Sequence, residues 1–175
     1  FKYACHKAEI DINKITIIDA GNGNEMDAAF REGVGQYIHQ QGPAPQQLVA
    51  DGVGHVVAEL GPTIGACGFS SLAATQAWLA TDTAKAFTRA YIKTRNYIND
   101  ANASEIAKAE KPLFPNIDLE VLTDCIATYQ AMGCWTRHID ITQDGYDAML
   151  DIFEYDGKLP QRYTYDQVCT LPPTV

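Results

Sequence analysis

The chain has 175 residues and a mass of 19.2 kDa, the range of one domain or two small lobes, enough to bury roughly 70% of its unfolded surface. Hydrophobic residues make up 46% and charged residues 20%, which excludes a disordered tail, and no stretch approaches the roughly 20 apolar residues of a bilayer-spanning helix. Thirteen basic against 22 acidic residues leave a net charge of -9, with no basic run to follow a phosphate backbone, which argues against a nucleic-acid partner.

The first seventy residues alternate between strand and helix signals. Lys14 to Asp19 (KITIID) is β-branched and predicts a strand, closed by the turn-forming Ala20-Gly21-Asn22-Gly23-Asn24. Met26, Ala29 and Phe30 then recur at helical spacing. A second strand is expected over Gly35 to His39, a helix over Pro43 to Ala50, and a third strand over Gly54 to Leu60. Successive βα units predict an α/β fold with a parallel or mixed sheet.

After Gly61-Pro62 the texture changes. Ile64 to Leu72 is small, apolar and glycine-punctuated, as in an extended segment passing between two bodies. From Ala73 onward the chain reads as helical. Thr81 and Asp82 can begin a long helix with Phe87, Ala90, Tyr91, Thr94, Tyr97 and Ile98 on its inner face. Ser104 can cap a helix that stops before Pro112, and Asp118 another that carries Leu119, Leu122, Ile126 and Tyr129. Thr142 opens a last helix, with Tyr146, Met149, Leu150 and Phe153 inward and Gly157 at its end. The remainder, to Val175, reads as an irregular strap.

Two loops are candidates for ligand contact. Gly21, Asn22, Gly23, Asn24 and Glu25 stand where a strand meets a helix N-terminus, and free N–H groups with the helix dipole can hold an anionic or polar ligand there. Met26 occupies the third glycine position of a dinucleotide fingerprint, so a nucleotide fold is disfavoured. Gln40 and Gln41, presented by the Gly42-Pro43 turn, offer amide donors and acceptors to a small molecule of mixed polarity. A plain turn and solvent-facing glutamines are the alternatives. These amides, with no Arg or Lys in the two loops, favour a neutral or zwitterionic heterocycle over a hard anion. Gly68-Phe69-Ser70-Ser71-Leu72 lacks the second glycine of a nucleophile elbow, and His39 has no partner placed by spacing, so no catalytic residue is assigned. Five cysteines, at 5, 67, 125, 134 and 169, contain no CxxC; they are read as buried free thiols, with no metal or cofactor expected.

The order of these segments carries a resemblance. The loop at Gly21 to Glu25, GQYIHQQGPAPQQL, GVGHVVAELG, IGACGFSSLAAT, TAKAFTRAYIKTRNYIND, FPNIDLEVLTDCIATYQAMGCW and GYDAMLDIFEYDGKL together resemble the C-terminal half of the substrate-binding proteins of nitrate, sulfonate, taurine and thiamine-precursor ABC transporters. The resemblance implies a two-lobed fold like that of type II periplasmic binding proteins: residues 1–63 as part of the second α/β lobe, 64–72 as the hinge crossing, and 73–175 as the helical part of the first lobe with its strap. It places Gly21 to Glu25, Gln40, Gln41, Pro43, Ser70 and Ser71 at the ligand. The implied partners are a small-molecule ligand and an ABC permease in the membrane, and the implied location is periplasmic or otherwise extracytoplasmic, with or without a lipid anchor. Members are close to twice this length, and the chain opens on Phe1 without a leader, so a further N-terminal segment of the same protein is also expected. The same fold includes a pyrimidine synthase of thiamine biosynthesis that uses a His and a cysteine-rich patch; here His39 is present but the cysteines are scattered. A ligand-sensing module is the third reading.

Overall fold

The computed structural model describes residues 1–173; the last two positions of the expected strap, Thr174 and Val175, lie outside the described residues. Those residues form helices α1 (Lys2–Lys7), α2 (Gly23–Arg31), α3 (Ala44–Ala50), α4 (Gly61–Ile64), α5 (Gln76–Leu79), α6 (Asp82–Asp100), α7 (Ala103–Glu110), α8 (Leu119–Ala131), α9 (Gln143–Tyr155) and α10 (Tyr165–Val168). Side chains that can accept from the first turn set several of the starts. Thr81 accepts from the Ala84 N–H, Thr142 from the Gly145 N–H, and Asn22 from two N–H groups of α2. Gly157, at φ 67°, follows the end of α9 in the left-handed region that glycine tolerates. The helix at residues 103–110 begins one residue before the expected cap Ser104, behind Asn102.

The core lies where the C-terminal end of α6 meets α7 and α8. Ile106, Ala107, Leu122 and Ile126 are buried together, with Ile98, Ala101, Ala103, Ile117 and Trp135 packed around them. Gln130 of α8 donates from one amide nitrogen to the carbonyls of Ile98 (2.8 Å) and Ala101 (3.0 Å), satisfying groups left open at the end of α6. The buried side of α6 is Ala84 and Thr88, with Tyr91 and Ile92 next, whereas Phe87 and Tyr97 of the expected stripe are exposed. On α9, Tyr146 and Leu150 are buried as expected, while Phe153 faces outward. The strap lies against α9: the Tyr146 hydroxyl donates to the Tyr163 carbonyl (3.0 Å), the Tyr165 hydroxyl to that of Ile141, and Arg162 pairs with Asp151 and Glu154. α1, for which the sequence offered no signal, touches α4 and stacks His6 on Tyr155 at the end of α9 (4.6 Å).

The α/β expectation, a two-lobed fold like that of type II periplasmic binding proteins with a hinge, is overturned. The structure is helical, and among the described residues no strand or sheet forms. The three runs taken for strands, at 14–19, 35–39 and 54–60, are irregular apart from short turns at their edges. Ile15 does hold extended angles (φ -110°, ψ 127°). Extended angles and β-branched side chains make a strand only when a neighbour supplies the ladder and a buried face. Neither is present: Ile17 is 54% and Val57 73% exposed. The helical units that the same reading placed between the runs, α2 and α3, do form.

Leu122→Ala, at 3% exposure inside the α6–α8 core, is expected to destabilise the chain by about 2–5 kcal/mol. Ile17→Ala, which would cost as much in a sheet core, is expected to stay within about 0.5 kcal/mol. Urea unfolding of both variants checks the contrast, and a large loss for Ile17→Ala would speak for a buried sheet.

Candidate functional site

α2 is started by side chains that fold back on its own backbone. Asn22 Oδ1 accepts from the N–H groups of Asn24 (3.0 Å) and Glu25 (3.2 Å), Glu25 Oε2 accepts from the Asn22 N–H (2.7 Å), and Asp19 Oδ1 accepts from the Gly21 N–H (3.1 Å). Gly21 is needed twice in this turn. Its φ of 102° suits glycine, and a Cβ there would stand 2.2 Å from Glu25 Oε2.

The His39 to Pro43 segment runs past this helix start. Gln40 Nε2 donates to the Gly23 carbonyl at 2.7 Å, joining two loops 17 residues apart. Gly42 then sits against α8, where its N–H donates to the Tyr129 hydroxyl (3.0 Å). A Cβ on Gly42 would come within 2.5 Å of Cys125 Sγ and 3.0 Å of that hydroxyl. Burial, with help from the Glu110 carboxylate, pushes the Cys125 thiol up to about 11, so it remains protonated beside the turn. Burial likewise raises the Tyr129 phenol, which keeps its proton, against the lowering effect of the Gly42 N–H. Beyond the turn, α3 is anchored by buried Leu48.

Two adjoining hollows follow from this arrangement, sharing Gly23, Gln40 and Gln41. The smaller, about 310 Å³, adds Met26 and His39. The larger, about 460 Å³, has a polar lining of Asn24, Asp27, Arg31, Gln40, Gln41 and Gln47, and an apolar one of Pro43, Ala44, Phe114 and Ile117. Arg31 is held on two sides: Nε meets Asp27 Oδ2 at 2.6 Å and Nη2 meets Asp51 Oδ2 at 2.8 Å. Gln47 Nε2 donates to the other Asp51 oxygen (2.8 Å). The Gln47 hydrogen bond, and then that of Arg31, hold the Asp51 carboxyl below its ordinary value; Asp27 first and Asp51 second raise Arg31. Partial burial lowers the His39 imidazole.

Of the residues singled out in the sequence, Gly23, Asn24, Gln40, Gln41 and Pro43 line the larger hollow, and Gly21, Asn22 and Glu25 build the turn beside it. Ser70 and Ser71 are exposed and line neither. Their neighbour Gly68 instead donates its N–H to the Gly145 carbonyl (2.8 Å), tying that segment to the start of α9. Sequence reasoning missed Asp27, Arg31, Phe114 and Ile117, and the absence of Arg or Lys from the two loops did not carry over to the site, because Arg31 reaches it from the last position of α2. The Asp27–Arg31 spacing of four residues was a legible helix pair. Nothing local marked Phe114 and Ile117, which arrive from the far side of the chain. Among the described residues no group of three His, Cys, Asp or Glu is arranged to hold a metal ion.

The chain is similar to a Bacillus subtilis (strain 168) protein named "Putative binding protein YtlA": 26% of residues are identical over 170, covering 95% of this chain and 51% of that protein. The chain thus spans about half the length of the curated relative it matches. No family model matches, and no solved structure matches.

Two expectations follow from the site's geometry. Gly42→Ala is expected to cost about 1–3 kcal/mol by overpacking against Cys125 and Tyr129, and Cys125→Ala in the same background to recover part of it; a double-mutant cycle read by urea unfolding measures the coupling. Asp51 has a depressed folded pKa, so its contribution to stability is present above the ordinary value of 3.8 and is lost as pH falls through the lower folded value. Carboxyl carbon NMR should therefore place its midpoint below 3.8, and Gln47→Leu, which removes the largest cause, should move it back up.

Proposed function

We propose that the chain belongs to a solute-binding component of an ABC importer, capturing a small polar molecule in the hollow between α2 and α3 for delivery to a membrane permease. The observation that carries this reading is the Gln40 to Gly23 hydrogen bond, which brings two ligand-contact loops chosen from the sequence to a single polar and apolar hollow. The name of the Bacillus subtilis relative, a binding protein, supports the same reading, as does the order of segments resembling substrate-binding proteins for nitrate, sulfonates and thiamine precursors. The volume is in the range of small-molecule sites, and a few oriented amides beside apolar carbon are what such sites use for selectivity. In this reading no bond is made or broken, and the work is done outside the cytoplasmic membrane. The whole protein's ligand affinity includes whatever further chain accompanies this one.

A thermal-shift and calorimetric screen of the full-length protein against nitrate, alkylsulfonates including taurine, thiamine-type pyrimidines, riboflavin and amino acids tests the proposal. A true ligand at 100 times its Kd adds about 2.7 kcal/mol, which for a domain of this size raises Tm by roughly 5–10 °C. The Gln40→Ala variant should lose most of that shift. If no class of solute stabilises the protein, the solute-binding reading fails.

A further inference from the structure

Several donors around the larger hollow are turned onto the protein itself. Arg31 gives Nε to Asp27 and Nη2 to Asp51, Gln47 gives Nε2 to Asp51, and Gln40 gives Nε2 to the Gly23 carbonyl. The N–H groups of Asn22, Asn24 and Glu25, which would have received an anion at the start of α2, are taken by Glu25 and Asn22 side chains. The bond to Gly23 also settles which way the Gln40 amide faces, because a backbone carbonyl can only accept; Oε1 is the end left over. Among the described residues Gln40 Oε1 and Asp27 Oδ1 accept no hydrogen bond. The Asn24 and Gln41 side chains can turn either end toward a guest.

The charge has the same sign. Two carboxylates, Asp27 and Asp51, face one guanidinium, so the Arg31 cluster retains one net negative charge. An anion entering here would meet that charge with few oriented donors to offset it. A cation with several N–H groups would meet free acceptors, and its flat apolar part could lie on Phe114 and Ile117.

From this arrangement we infer that the hollow selects small organic cations bearing two or more N–H donors on a flat apolar body, of the amidinium or guanidinium type, and rejects carboxylates, sulfonates and nitrate. The inference rests on the solute-binding reading and names the ligand class for the same site. Asp27 is the residue that sets the sign of the selectivity: it supplies a free acceptor oxygen and takes the Arg31 Nε–H for itself.

The test uses benzamidine and its anionic isostere benzoate, titrated into the full-length isotope-labelled protein, with the side-chain amides of Asn24, Gln40 and Gln41 and the Arg31 Nε–H as reporters. Benzamidine is expected to shift these signals in the millimolar range, as suits a fragment, and benzoate to leave them unmoved up to about 20 mM. Asp27→Asn should weaken benzamidine about three- to tenfold and, by freeing one side of Arg31, let benzoate bind. The wild-type comparison stands even if that variant misfolds. Benzoate binding as well as benzamidine, or no benzamidine shift at the four reporters, overturns the inference. Benzamidine binding here while the solute screen stays blank would retain the selectivity and sink the transport reading; a sulfonate or nitrate hit that shifts the same reporters would do the reverse.

Discussion

The hydrogen bond from the Gly42 N–H to the Tyr129 hydroxyl couples the site to the rest of the molecule. Tyr129 stands on α8 along the same face that supplies Leu122 and Ile126 to the buried core, and its ring meets Trp135 edge-on at 5.6 Å. Gly42 can approach only because it has no Cβ, since one would strike Cys125. This contact places Gln40 and Gln41 just ahead of it and α3 just behind it. With Gly42 docked, Gln40 reaches the Gly23 carbonyl and the start of α2 becomes the other side of the hollow. The candidate site residues are thus held by a core helix more than eighty residues away in sequence.

That dependence divides the molecule by stability. Helices α6 to α8 enclose the main buried cluster, whereas the irregular runs before them carry exposed Ile17, Tyr37 and Val57 and lack a ladder of backbone hydrogen bonds among the described residues. Segments with few buried contacts and solvent-facing backbone open at low free-energy cost. The hollow lies between these regimes: α3 is fastened to α8, while α2 is joined to α3 by the pairing of Arg31 with Asp51 and to the 39–43 segment by one amide.

Electrostatics follows from the same local geometry. A net charge of -9 alone would say only that the surface is acidic. What decides the character of the hollow is the consumption of donors: a helix start capped by Asn22 and Glu25 has little left for an anion, however favourable its dipole. The reading of that loop as an anion cradle rested on free N–H groups, and the capping box takes those of Asn22, Asn24 and Glu25. Asn22 followed three residues later by Glu25 is the pattern of a capping box, so this much was visible in the sequence.

Helix starts at Thr81 and Thr142, the stop at Gly157, the helices behind Gly23 and Pro43, and the two loops that meet at the hollow were determined by the sequence, because caps, turns and helical spacing act within a few residues. The inner face of α6 was misplaced by a fraction of a turn, since aromatic residues there mark contacts with Trp78 and with solvent and not the core. Tertiary structure alone decided that KITIID, GQYIH and GHVVAEL do not pair, because a strand is made by its neighbour as much as by its own β-branched residues. It alone decided, too, that Arg31, Phe114 and Ile117 join the amides of the two loops. Their meeting depends on Gly42 docking on α8, a contact between residues 87 positions apart that leaves no local trace in either segment.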